Sequence, residues 1–152
     1  MSMFGGIDAA ASGLTAERLR MDVISNNIAN VNTTRTEKGG PFKRKFVVFE
    51  PREMHNLNFA RVLSGEISKS EYGKKSGDGV RAVAIQEDNT MGKLVYDPGH
   101  PDANADGYVE LPNVNIVNEM VDMITASRAY EANVTTINAA KGMATQALNI
   151  SK

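Results

Sequence analysis

The chain has no cysteine and no tryptophan, 5 prolines in 152 residues, and only 6% aromatic residues. Lacking cysteine, it forms no disulfide, carries no thiolate nucleophile, and offers no thiolate ligand to zinc or an iron–sulfur cluster. Neither sign of charge dominates, with 17 Lys+Arg against 18 Asp+Glu. That balance argues against a general attraction to nucleic acid or an anionic membrane, which requires a basic surplus or a clustered patch. No apolar run approaches the roughly 18 residues of a membrane span, so direct membrane insertion is not expected. The opening Met1-Ser-Met-Phe-Gly-Gly6 has neither a basic stretch nor a continuous apolar region, and an ordinary cleaved signal is not expected either. Signatures for acyl transfer, nucleotide hydrolysis and dinucleotide binding are missing. The 2 histidines, His55 and His100, have no metal-ligand or general-base partner at a suitable spacing. An enzyme built on them is the weaker reading, and no cofactor or metal is expected.

What is present is periodic. Ile7, Leu14, Met21 and Ile28 recur every seven residues, followed three positions later by Ala10, Glu17, Ile24 and Val31. This approximates the a/d pattern of a coiled coil and predicts a helix from about Ile7 to Val31, fading into Thr33. Asn27 and Asn32 flank the seam at g-like and e-like positions, where an amide sets register and partner choice. A second helix is predicted from Asn113 to about Asn149, announced by Pro112 and capped by Asn113 or Asn115. Along it Ile116, Met123, Tyr130, Ile137 and Ala144 recur every seven, with Met120, Val134 and Leu148 among the positions four further on. Val117, Val121 and Ile124 widen that stripe, as expected of a helix that touches more than one neighbour.

Between the helices the period changes. Phe42 to Phe49, Gly79 to Ile85, Lys93 to Tyr96 and Tyr108 to Leu111 read as short strands bounded by Gly, Pro and Asp turns, predicting a small antiparallel unit. The expected fold class is α+β: long terminal helices forming a coiled-coil-like layer, with a β-domain inserted between them. The corresponding division is 1–34, 35–111 and 112–152, with a mobile insertion near 64–76.

Two local patterns invite a chemical reading. Asp102, Asn104, Asp106 and Gly107 fit the opening of a calcium loop, but the twelfth position is Asn113 where a bidentate glutamate belongs, and Pro98 and Pro101 oppose an entering helix. A structural turn is the better reading, with a self-contained module holding a weak calcium site at 102–113 as the alternative. Lys43-Arg44-Lys45, flanked by Phe42 and Phe46, reads as a charged edge strand, with Lys43 and Lys45 on one face and Arg44 on the other. The two seams admit both an intramolecular core and a contact between subunits. Helices of about 25 and 37 residues are unequal in length, so the longer stripe stays partly uncovered, which favours assembly. Candidate interface residues are Ile7, Leu14, Met21, Ile24, Asn27, Ile28, Val31 and Asn32 on the first helix and its end. On the second they are Ile116, Met120, Met123, Ile124, Tyr130, Val134, Ile137 and Leu148.

The stretch from Ser12 to Thr34, above all Ser25-Asn-Asn-Ile-Ala-Asn-Val-Asn32, resembles the N-terminal signature of bacterial flagellar rod, hook and related axial proteins. Gly39 to Phe49, Lys93 to Asn115 and Asn118 to Asn133 resemble one proximal rod member of that family. The resemblance implies a structural subunit of the basal-body rod, assembled helically through its terminal helices and transmitting torque from motor to hook. It also implies unfolded export through the flagellar type III apparatus. Implied neighbours are the rod proteins FlgB, FlgF and FlgG, the adaptor FliE, and copies of the chain itself.

Overall fold

The computed structural model describes residues 3–52 and 79–150. The predicted insertion at 64–76 and His55 lie outside these residues. Helix α1 spans Met3–Ala29 and helix α2 spans Ile116–Ile150, and between them come strands β1 (Lys45–Pro51), β2 (Val80–Glu87), β3 (Leu94–Tyr96) and β4 (Tyr108–Glu110). The α+β arrangement is thus the one expected from the sequence. The strands, however, form two separate antiparallel ribbons, β1–β2 and β3–β4, rather than one sheet. Among the described residues no helix is long and apolar enough to cross a membrane.

The helix ends follow from asparagine chemistry. Asn115 Oδ1 accepts from the backbone N–H groups of Val117 at 3.0 Å and Asn118 at 3.4 Å, satisfying two donors that have no partner within the helix. Asn113, the other candidate cap, is used elsewhere. At the far end of α1 the Asn30 side chain donates to Asn26 O at 2.9 Å and its oxygen accepts from Thr33 Oγ1 at 3.2 Å, closing the last turn. Gly39 and Gly40, with φ of 84° and 77°, then reverse the chain through a left-handed turn that β-carbons disfavour.

α1 and α2 pack against each other as an antiparallel hairpin. A β-carbon placed on Gly13 would lie 2.8 Å from Asn133 Nδ2, and Asn27 Nδ2 donates to Glu119 Oε2 at 3.0 Å. Fourteen residues forward along α1 therefore match fourteen residues back along α2, two heptads on each. Small side chains fill the seam: Ala10 and Ala16 on α1, and Ala126 and Ala140 on α2, are buried together with Val23 and Ile24. Glu17 sits at a seam position as well, where its Oε2 is enclosed without a hydrogen bond and the Arg20 guanidinium stands 4.0 Å away.

The β1–β2 ribbon lies along α1. At one end Lys45 bonds Asn27; at the other Val80, paired with Pro51, donates its N–H to Ser12 Oγ at 2.9 Å. The fifteen steps from Ser12 to Asn27 rise about 22 Å and the six steps of β1 extend about 20 Å, so strand and helix segment match in length. A register shift between Val48 and Phe49 leaves Val83 as the extra residue of a bulge. In the β3–β4 ribbon Tyr96 and Tyr108 face each other across the strands, edge to face, with ring centres 5.2 Å apart.

On the solvent side of α2 the hydroxyls of Thr125, Thr135, Thr136 and Thr145 each donate to the carbonyl four residues earlier, at 2.9 Å.

Gly79 holds a φ of +104°, and a β-carbon there would collide with Ser12 Oγ and stand 3.2 Å from Ala9 Cα. Gly79→Ala is expected to loosen the ribbon from α1 and destabilise the chain by about 1–3 kcal/mol in chemical denaturation. Gly142→Ala, in open space within α2, is expected to stabilise it by about 0.5–1 kcal/mol.

Candidate functional site

Two polar side chains are enclosed among the described residues: Glu119 with no exposed surface and Asn27 with 1%. Glu119 belongs to the first turn of α2, where unpaired backbone N–H groups favour negative charge. Its two oxygens are held by different parts of the chain. Oε2 accepts from Asn27 Nδ2 on α1, and Oε1 accepts from Arg44 Nε at 2.5 Å, just ahead of β1. The Arg44 guanidinium continues to Asp122 Oδ2 at 3.4 Å, one turn further along α2.

The backbone joins the same network. Asn27 Oδ1 accepts from Lys45 N at 2.9 Å while its Nδ2 also donates to Lys45 O at 2.8 Å, so the amide pairs with that residue as a neighbouring strand would. Asn113 Oδ1 accepts from Arg44 N at 2.8 Å, and its Nδ2 donates to Asp88 O at 3.2 Å. Asp88 N closes the circuit on Arg44 O at 2.7 Å. Both helices, the start of β1 and the exit of β2 thus meet at one cluster. Beside it lies an open polar cleft of about 480 Å³, lined by Arg44, Asn113, Asn115, Asn118, Glu119, Val121 and Asp122. The cleft offers amides, carboxylates and a guanidinium, but no nucleophile activated by a base.

The Asp88 carboxylate accepts from the Thr90 hydroxyl and from Thr90 N, and these two bonds hold it below the usual carboxylate range.

The predicted interface residues separate into two groups. Ile24 and Asn27 are buried within the hairpin; Ile7, Leu14, Met21, Ile28, Val31, Met123, Tyr130, Val134 and Ile137 are half-buried. Ile116, Met120, Ile124 and Leu148 are exposed by 45%, 54%, 54% and 73%, and Asn32 is exposed as well. Val117 and Val121 join them at 68% and 58%, making an apolar face on the first turns of α2, turned away from the seam that holds Glu119 and Ala126. Within residues 5–52 and 79–149 no leucine, methionine or tyrosine is fully buried.

One sequence reading changes. The basic run is not an edge strand with alternating faces: β1 begins only at Lys45, Phe42 is buried with the Lys45 ammonium 5.7 Å from its ring centre, and Arg44 turns inward to a carboxylate. The calcium alternative is not supported. Asp102 Oδ2 accepts from Thr34 Oγ1 at 2.8 Å and Oδ1 stands 3.6 Å from Arg35, while the 104–107 turn closes by backbone bonds around Gly107. No group of three metal-binding side chains occurs among the described residues. His100 Nδ1 accepts from Asp102 N at 3.1 Å and stands 4.0 Å from the Asp102 carboxylate. Sequence reasoning missed Glu119, Arg44 and Asn113 as a cluster; the one available signal was the acid in the first turn of α2.

Removing one partner of a buried pair leaves the other charge uncompensated. Glu119→Ala is expected to destabilise the chain by about 3–5 kcal/mol in urea denaturation, against less than about 1 kcal/mol for Asp122→Ala. For Asp88 the folded value lies below the unfolded one, so its contribution is complete above the ordinary carboxylate range and disappears as pH falls through the lowered folded value. Thr90→Ala is expected to return the Asp88 carboxyl toward ordinary titration, read by carboxyl-carbon NMR.

Known sequences match both ends and the whole length. The family described as Flagella basal body rod protein matches residues 7–35, and the C-terminal family of the flagellar basal body rod FlgEFG proteins matches 105–150. The flagellar basal-body rod protein FlgC of Borreliella burgdorferi is 51% identical, covering 99% of this chain and 98% of its own length. That of Bacillus subtilis is 44% identical over the full length of both chains, and that of Escherichia coli O6:H1 is 37% identical over 99% and 98%. The chain belongs to the FlgC family of flagellar basal-body rod proteins, structural subunits of the rod of the bacterial flagellum.

Proposed function

We propose that the subunit joins the rod by burying the outward apolar face of α2, centred on Met120, Val121 and Ile124, against helices of neighbouring subunits. The observation that carries this reading is the distribution of side-chain size. The hairpin seam is closed by alanines, while Ile116, Val117, Met120, Val121 and Ile124 stand exposed on a neighbouring face of the same helix. A contiguous apolar surface of this kind is a contact surface in a soluble chain. Half-exposed side chains of this size each add on the order of 1 kcal/mol when a neighbour covers them, and repetition around a tube multiplies that gain.

The half-buried residues Met21, Ile28, Met123, Tyr130, Val134 and Ile137 line the hairpin and reach its rim, where a third helix extends the same packing. Leu148 lies near the C-terminal end of α2, beyond the last residues that the Gly13–Asn133 alignment sets opposite α1, and serves a further neighbour. The neighbours are copies of the chain and the rod proteins FlgB, FlgF and FlgG, with FliE at the base, after delivery by the flagellar export apparatus. Torque passes from motor to hook through these contacts. A helix pair held laterally by many neighbours resists twisting because no single contact can yield alone.

Met120→Asp and Ile124→Asp separate the proposed role from folding. Both side chains are already 54% exposed, so the isolated variants are expected to keep their helix content and lie within about 0.5 kcal/mol of the parent. In cells lacking the parent protein they are expected to yield no completed rods and no swimming. Normal rods and motility in both variants would refute the proposal. Ile24→Asp, which places a charge in the hairpin seam, is expected to unfold the isolated chain and marks the contrast.

A further inference from the structure

The apolar stripes that hold the hairpin together cannot choose its alignment by themselves. Ile7, Leu14, Met21 and Ile28 repeat every seven residues on α1, and Met123, Tyr130, Ile137 and Ala144 do so on α2. Sliding one helix by a heptad therefore exchanges like for like along these two stripes. The polar cluster does not repeat. One step in either direction puts Asn27 at the level of Ala126 or of Pro112, ahead of α2, and in both cases without the Glu119 carboxylate. Asn27 would then keep its bonds to Lys45 but lose its partner across the seam, and Glu119 would lie away from Arg44, in the second slip at the level of Arg20, which stands 4.0 Å from Glu17. An enclosed amide or carboxylate without its partner is strongly disfavoured.

We propose that Asn27, Glu119 and Arg44 form a register lock: three positioning residues that select one of several heptad-equivalent alignments of α1 on α2. The consequence reaches the surface, because the β1–β2 ribbon is fastened to α1 at Ser12 and Asn27, whereas the exposed apolar face belongs to α2. A slip of one heptad moves the ribbon about 10 Å along α2 while leaving the outward faces of both helices nearly unrotated. The lock thus sets the height of the ribbon relative to the docking face. This last consequence rests on the assembly role proposed above for the α2 face; the choice of register does not.

The absence of cysteine makes the register directly readable, since every disulfide in a test chain is one that was placed there. Three full-length chains carry Gly13→Cys together with Asn133→Cys, Ala126→Cys or Ala140→Cys, the last two one heptad to either side of the observed partner. In the parent background only the 13–133 pair is expected to cross-link under mild oxidation, because Asn133 Cγ lies 3.2 Å from a β-carbon at position 13. With Asn27→Leu and Glu119→Leu added, the helix content is expected to persist, and the 13–126 or 13–140 pair to rise from undetectable to at least a tenth of the 13–133 yield. Glu119→Gln keeps the side chain's size but sets its amide donor against one of the two groups that donate to the carboxylate, Asn27 Nδ2 or Arg44 Nε; it is expected to show the same slipped product in smaller amount. Where the double leucine chain does not fold, Glu119→Gln alone decides. A folded variant that cross-links only at 13–133 would overturn the lock, whatever the rods of that strain look like. Conversely, slipped cross-links alongside normal rod assembly by Ile124→Asp would leave the lock standing and remove the assembly reading instead.

Discussion

A carboxylate with no exposed surface has to be compensated, and in this chain compensation is what brings the parts together. Glu119 is enclosed in the first turn of α2, and the two groups that bond it come from α1 and from the residue before β1. Neither Asn27 nor Arg44 can satisfy it unless the hairpin has closed and the chain has turned back through Gly39 and Gly40. The same residues carry the backbone of β1 and, through Asn113 and Asp88, the exit of β2. Burial of an ion pair is not in general a gain in stability over a well-packed apolar contact. Its effect here is conditional: with all partners present the cluster is satisfied, and with one missing the others are left enclosed without compensation.

Around that centre few large side chains are fully enclosed. Ala10, Ala16, Ala126 and Ala140 are buried with Val23 and Ile24, while Ile116, Val117, Met120, Val121 and Ile124 are exposed and Met21, Met123 and Tyr130 are half-covered. Alanine at the seam lets two helix backbones come close, but it removes little apolar area from water, so the hairpin alone is modestly stabilised. In a rod subunit the arrangement is coherent. Under the proposed assembly role the exposed side chains of α2 are where neighbouring chains add the apolar burial that the hairpin lacks.

Much of this was legible from spacing. The two heptad stripes located both helices to within a few residues, Asn115 was among the foreseen caps, and all four strands fell where short apolar runs between turn residues placed them. The family resemblance was carried by the asparagine-rich end of α1, and full-length relatives bear it out. Illegible were the features that depend on distant residues. Arg44 in a run of basic residues looks like surface charge until the chain reversal turns it toward a carboxylate 75 positions away. Asn27 could be seen to flank a seam, but not that its amide would be occupied by Lys45 and Glu119 within its own chain. The strands' pairing into two ribbons instead of one sheet is likewise set by the helices, which anchor β1 and β2 at Asn27 and Ser12 and leave β3 and β4 to each other.

The threonines of α2 complete the contrast between the inner and outer sides of the hairpin. Because each of the four hydroxyls donates to its own helix, the methyl group, not the donor, is what a passing surface meets. A partner can shift along such a face without breaking any directional bond. The inner flank of the hairpin is thus fastened by directional bonds at Asn27 and Glu119, while on the outer flank the threonine donors are already used within their own helix.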